Sequence, residues 1–192
     1  MPPILNEEQL LKDIEADPQK FGQVYEAFYN KIFGYVYRRT TDYEIARDIT
    51  AETFFKAYAN ISKFKWRNIS LLYWLYQIAT NELNRYFNSR QYRPQSLNRI
   101  EEEYGIDVLD HSNEDAESTM LQDELERHGE FIRMNVAIKK LDTKYGNVVS
   151  LRFFERKSIK EIAIILDKKE GTIKSLLSRG IDKLKDTVKT IQ

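Results

Sequence analysis

The stretch that decides the fold runs Ser158-Ile159-Lys160-Glu161-Ile162-Ala163-Ile164-Ile165-Leu166, then Asp167-Lys168-Lys169-Glu170-Gly171, then Thr172-Ile173-Lys174-Ser175-Leu176-Leu177-Ser178-Arg179-Gly180-Ile181-Asp182-Lys183-Leu184. Ile159, Ile162, Ala163 and Leu166 recur at helical spacing. After a polar break at 167–171, Ile173, Leu177, Ile181, Leu184 and Val188 resume the period. Two short amphipathic helices joined by so tight a turn cross at a steep angle, which is the helix-turn-helix unit. Ala163 is expected at the crossing, where a larger side chain would not fit. The outer face of the second helix carries Lys174, Ser175, Ser178, Arg179 and Lys185. A positive, hydrogen-bonding face on a protruding helix suits the major groove of DNA. The competing reading is an ordinary helical hairpin with a solvated charged face.

The rest of the chain reads as helical too. Val24, Phe28, Ile32, Tyr35 and Val36 share a helical face, and Asp42 is placed to cap a second helix with Ile45, Ala46, Ile49, Thr53 and Ala57 on one side. Leu71 or Leu72, Leu75, Ile78, Ala79, Leu83 and Tyr86 mark a third, in which Trp74 reads as core. Ahead of these, residues 5–17 form a short acidic arm with Leu5, Leu10, Leu11 and Ile14 on one face, ended by Asp17-Pro18. Helix is expected to resume near Asp115, to break at 142–146, and to open again with Val148, Val149, Leu151 and Phe153. The fold class is therefore all-α. It comprises an N-terminal arm (1–20), a helical bundle (21–93), an acidic linker (94–114) and a C-terminal helix-turn-helix domain (115–192).

The formal charge of the 192 residues is zero, but it is unevenly laid out. Residues 31–93 and 131–192 are basic, with net charges of +6 and +8, while 1–30 and 94–130 are acidic, at −4 and −10. Two basic blocks separated by an acidic one suit two surfaces for one polyanion. There is no cysteine, and His111 and His128 stand far apart in acidic sequence, so no disulfide or metal site is expected. No apolar run approaches the roughly 20 residues a membrane span needs. The first residues lack the basic and apolar regions of a signal peptide, so membrane insertion is not expected and the cytoplasm is the expected location. No carboxylate cluster is paired with His or Lys in a way that argues for metal-assisted hydrolysis, so neither enzymatic activity nor a cofactor is expected.

At this point the chain resembles the sigma factors of bacterial RNA polymerase, sigma-70 family, of the short extracytoplasmic-function (ECF) type. The C-terminal match is Leu151-Arg152-Phe153-Phe154-Glu155, Ser158-Ile159-Lys160-Glu161-Ile162-Ala163, Gly171-Thr172-Ile173-Lys174-Ser175 and Arg179. The N-terminal match is Ala46-Arg47-Asp48-Ile49-Thr50-Ala51-Glu52-Thr53-Phe54 with Trp74-Leu75-Tyr76-Gln77-Ile78-Ala79-Thr80-Asn81. Departures are Arg47, Ala51 and Arg85 in the first half, and Asp167, Leu176 and Gly180 in the second. The resemblance implies a non-enzymatic initiation factor that binds core RNA polymerase and promoter DNA, with an anti-sigma factor as a further partner.

The resemblance also implies site residues. Asp48, Thr50, Glu52 and Lys56 would dock on the polymerase. By period alone, the stripe Asp48, Glu52, Lys56 reads as solvated charge rather than a docking surface; the resemblance reverses that. Phe64, Lys65, Trp66 and Arg67, together with Asn81, Arg85, Asn88 and Arg90, would hold the unpaired strand of the −10 element, since aromatic rings stack on bases while cations neutralise phosphate. Lys168, Lys169, Thr172, Lys174, Ser175 and Arg179 would meet the −35 element, the lysines with a phosphate at the helix N-terminus. The acidic linker reads either as a tether or, by resemblance, as a segment threading the polymerase cleft. The alternative for the whole chain is an autonomous helix-turn-helix regulator that acts without polymerase.

Overall fold

In the computed structural model, residues 6–64, 69–89, 134, 137, 138 and 140–191 are described, the side chains of 188–191 excepted. Among them the secondary structure is helical, with no strand. The helices are α1 (Glu7–Ala16), α2 (Phe21–Thr40), α3 (Tyr43–Asn60), α4 (Leu71–Asn88), α5 (Thr143–Phe153), α6 (Ile159–Leu166) and α7 (Glu170–Ile191). The expected linker lies outside the described residues, as does most of the helix expected from Asp115; of that helix, Met134, Ala137, Ile138 and Lys140 are described and helical, with Ala137, Ile138 and Leu141 buried.

Local chemistry sets the helix ends. Asn6, Asp42 and Ser70 cap α1, α3 and α4, each accepting a backbone N–H in the first turn. Thr41 ends α2 in the left-handed conformation (φ 53°). Asp17, extended and followed by Pro18, ends α1. The apolar period of α2 is buried as its spacing requires: Val24, Phe28, Ile32, Tyr35 and Val36 all lie in the core. The arm is also well placed, since Leu10, Leu11 and Ile14 of α1 are buried against the same core.

The expected break at 142–146 is shorter than the spacing suggested. Asp142 takes the N-cap position and the helix restarts at Thr143, so Tyr145 and Gly146 lie inside α5. Ala163 is half-buried and packs against the core. Ile162 and Ile165 of α6 and Ile173 of α7 are fully buried in the same cluster. Phe153 is 55% exposed. Gly180 is accounted for by packing: a Cβ there would stand 3.0 Å from Val149 Cγ2 on α5.

The C-terminal helices pack directly on the N-terminal ones, α5 on α2 and α4, and α6 on α4. Val148, Leu151, Ile162, Ile165 and Ile173 join the core of α1–α4. Polar contacts stitch the same seam. Glu155 accepts from Arg38 and, at 2.6 Å, from the Tyr76 hydroxyl. Tyr73 donates to Glu161, and Asn147 Nδ2 donates to Asn84 Oδ1 at 2.8 Å. Arg39 is buried beneath α5, its guanidinium 3.5 Å from the Ile138 carbonyl and from Asn147 Oδ1, and 5.2 Å from the Phe87 ring centroid.

Gly146 makes room for that guanidinium, because a Cβ would lie 2.5 Å from Arg39 Nη1. Gly146→Ala is expected to destabilise the chain by about 1–3 kcal/mol, the usual cost of overpacking. Gly22→Ala, where nothing lies within 4 Å of the new Cβ, should instead gain up to about 1 kcal/mol of helix propensity. Urea unfolding of the two variants against the parent checks both signs.

Candidate nucleic-acid interface

Two surfaces combine exposed bases with hydrogen-bonding groups. The first is on α7. Ser158 and Glu161 form a reciprocal capping box at the start of α6. The helix ends in a Schellman-type turn, in which the Lys168 N–H reaches the Ala163 carbonyl at 2.9 Å and Asp167 adopts φ 50°. Aspartate tolerates that conformation better than most side chains, so the turn forms without the glycine often found there. Ile173, Gly180 and Leu184 of α7 face the core. Lys168, Lys169, Thr172, Lys174, Ser175 and Arg179 are all exposed. Glu170 stands in the first turn of α7, where the helix dipole favours an acid, so an incoming phosphate would meet it beside the two lysines.

The second surface is a cleft of about 600 Å³ between α3, the turn after it and α4. Phe64 and Trp74 form one wall with ring centroids 4.9 Å apart. Lys56, Asn60, Lys63, Ile78, Asn81 and Glu82 complete it. Asn81, Arg85 and Asn88 are exposed along α4. Lys65, Trp66, Arg67 and Arg90 lie outside the described residues. Trp74, expected as core, is half-buried and belongs to the cleft wall. The signal was present in the sequence: Trp74, Ile78, Asn81 and Arg85 follow at steps of four, three and four along one side of α4.

The α3 stripe is only partly free. Asp48 is exposed. Lys56 lies between two carboxylates, 3.2 Å from Glu52 and 2.5 Å from Glu82, and the Glu82 bond raises its ammonium above the ordinary lysine value. Glu82, nearly buried, also holds Arg85 at 2.8 Å, so Lys56 and Arg85 are tied to the α3–α4 seam. Thr50 is a correction. It is fully buried, because it lies with Ala46, Thr53 and Ala57 on the inward side of α3, and cannot touch a partner. Among the described residues no cluster could hold a metal ion.

Residues 24–93 match the family described as Sigma-70 region 2, and residues 132–184 match Sigma-70, region 4. The chain is 30% identical over 179 residues to the RNA polymerase sigma-H factor of Pseudomonas aeruginosa, spanning 91% of this chain and 89% of that one. It is 28% identical over 178 residues to the ECF RNA polymerase sigma factor SigW of Bacillus subtilis, spanning 92% and 93%. Its fold is that of CnrH solved with the cytosolic domain of CnrY (TM-score 0.65, 17% identity, 95% of this chain and 97% of that one). It is also that of the sigma factor RpoE solved with the anti-sigma factor NepR from Bartonella quintana (TM-score 0.60, 19% identity, 91% and 99%).

The Tyr73–Glu161 bond, which joins α4 to α6, has a pH signature. Burial works against the Glu161 carboxylate, but hydrogen bonds from Tyr73 and Ser158 and the Lys157 charge outweigh it and hold the group at about 2. Burial, and then the bond to Glu161, push the Tyr73 phenol up to about 12. A carboxyl lowered on folding stabilises the fold above its ordinary value of 4.5, and that contribution is lost as pH falls toward 2. Tyr73→Phe should cost about 1 kcal/mol at neutral pH, and the gap from the parent should close between pH 4.5 and 2 in unfolding experiments.

Proposed function

This chain belongs to the sigma-70 family, of the ECF type, and is a sigma factor that directs RNA polymerase to promoters; from that premise we propose how its surfaces divide the work. The exposed face of α7 reads the −35 element as duplex. Lys168 and Lys169 meet backbone phosphate at the helix start, Thr172, Lys174 and Ser175 reach the groove, and Arg179 meets a flanking phosphate. The α3–α4 cleft receives an unpaired base of the −10 element, stacked against Phe64 and Trp74 and met by Asn81, with Arg85 and Asn88 along the strand. Lys65, Trp66, Arg67 and Arg90 are assigned to the same strand from sequence. Asp48 and the outer edge of Glu52 face the core polymerase, with Lys56 holding Glu52 in place. Melting is favoured because only an unpaired base gains the stacking contact.

The observation that carries this reading is the exposure of six candidate groups, two in the turn before α7 and four on α7, together with an open aromatic cleft on the other half. The arrangement also has a consequence. Elements centred about 25 base pairs apart, at roughly 3.4 Å per pair, lie on the order of 85 Å apart along the duplex. α4 packs on α6, and α6 on α7, which at about 8–10 Å per helix pair leaves the two surfaces only tens of ångströms apart. The halves therefore separate on the promoter. The acidic linker 94–114, between the domains proposed at 21–93 and 115–192, could span roughly 70 Å when extended. The chain works where the polymerase does, in the cytoplasm. RpoE was solved with an anti-sigma factor, and a partner of that kind, seated on the separated halves, is proposed here.

Run-off transcription with core polymerase and a promoter library tests the reading. Promoter-dependent transcripts are expected. Their absence, together with tight duplex binding by the chain alone, would instead mark an autonomous regulator. Arg179→Ala should weaken promoter binding across sequences and lower the slope of log affinity against log salt by about one. An unchanged slope removes the phosphate role from Arg179.

A further inference from the structure

One carboxylate ties the N-terminal helix to the start of α4. Glu7 Oε1 accepts from Ser70 Oγ at 2.8 Å, and Oε2 accepts from the Leu71 N–H at 2.7 Å. Ser70 Oγ in turn accepts from the Leu72 N–H at 3.2 Å. The capping hydroxyl and two of the four amides that α4 cannot satisfy internally thus converge on Glu7, directly or through Ser70. The negative charge also sits at the positive end of the helix dipole. Glu7 is not a loosely tethered side chain, since Leu10, Leu11 and Ile14 anchor its helix in the core.

The first turn of α4 carries Trp74, whose ring packs on Phe64 in the cleft wall. If that turn frays, Trp74 loses its register and Phe64 its support. The same turn has one more carboxylate contact, Tyr73 to Glu161 of α6. That contact joins the two halves and breaks when they separate, whereas α1 and α4 lie in the same half.

We propose that Glu7 is a positioning residue for promoter melting: it locks the first turn of α4 so that Trp74 and Phe64 keep the base-receiving wall in place once α6 has left. This rests on the assignment of the cleft above. The departing contact makes Glu7 matter more in the promoter complex than in the free chain.

The test uses the full chain with core polymerase on a promoter whose −10 thymines are probed with permanganate. Glu7→Ala should lower strand opening about tenfold, a change of about 1.4 kcal/mol. Glu7→Gln, which keeps an acceptor for Ser70 but loses the charge, should lower it about threefold. Affinity for core polymerase and for a −35 duplex should stay within about twofold in both variants, a pattern that general loss of fold would not give. Glu8→Ala, on the same helix but paired with Lys12 at the surface, should open like the parent. Opening by both Glu7 variants at the parent level overturns the inference, as does a deficit that only tracks lost core affinity. A parent chain that opens nothing overturns the cleft assignment itself, and this inference with it.

Discussion

The burial of Arg39 beneath α5 is the contact on which the arrangement of the two halves depends. It is among the largest fully buried side chains described. A guanidinium cannot be neutralised at ordinary pH, so it must be surrounded by oxygen atoms and aromatic faces. It finds the Ile138 carbonyl, Asn147 Oδ1 and the Phe87 ring, drawn from both ends of the chain. Gly146 is small because Arg39 is there, and Asn147 is buried in α5 because it serves both Arg39 and Asn84. Removing one partner would strand a charge in the interior. Such a contact therefore fixes a unique docking more than it adds net stability.

Around that plug the seam is built from groups that water can replace. Glu155 serves Arg38 and Tyr76, and Glu161 serves Tyr73. A hydrated carboxylate and a hydrated phenol are not much worse off than a paired one, and the net gain of such a bond is small. Apolar contacts at the same seam, from Val148, Leu151, Ile162, Ile165 and Ile173, supply cohesion without direction. A seam of this kind specifies one closed form and still allows it to open, as two DNA elements on the order of 85 Å apart would require.

The helices were legible because a buried face repeats with the helical period, and that is a property of a single segment. Val24 through Val36 and the cap at Asp42 show it. The period reports only that a face is covered, not what covers it. Thr50 shared its helix with Asp48 and Glu52 but turned inward, since a step of two residues rotates a side chain to a different face. Ile165 falls outside the stripe of Ile159, Ile162, Ala163 and Leu166 for a similar reason: α6 is buried from two sides, by α4 and by α7, and no single stripe describes it. Arg39 is only one charge in the +6 of residues 31–93, and its interior is built by Gly146 and Asn147, more than a hundred positions later. The acidic arm names no role for Glu7, because its partners, Ser70 and Leu71, are more than sixty residues away. The exposed face of α7 was legible in full, because exposed groups answer to no distant partner.

The distribution of charge on the C-terminal half gives the docking a direction. Two of its acids, Glu155 and Glu161, lie on the seam, while Lys168, Lys169, Lys174 and Arg179 are exposed along the turn and α7, with Asp167 and Glu170 among them. Once opened, this half would present the two seam carboxylates on one side and these bases on another. Attraction to one and repulsion from the other would orient α7 toward the duplex before any base is touched, over the roughly 8 Å range that salt allows. The acids that hold the closed form would then face away from the DNA, so the groups that fasten the two halves together also disfavour the wrong way of binding. Re-closing would have to bring Glu155 and Glu161 back against Arg38, Tyr76 and Tyr73, and the half held on the −35 element cannot reach them. On the proposed assignment, promoter binding and the closed form would therefore exclude each other through geometry alone, without any residue shared between the seam and the proposed DNA-facing side of α7.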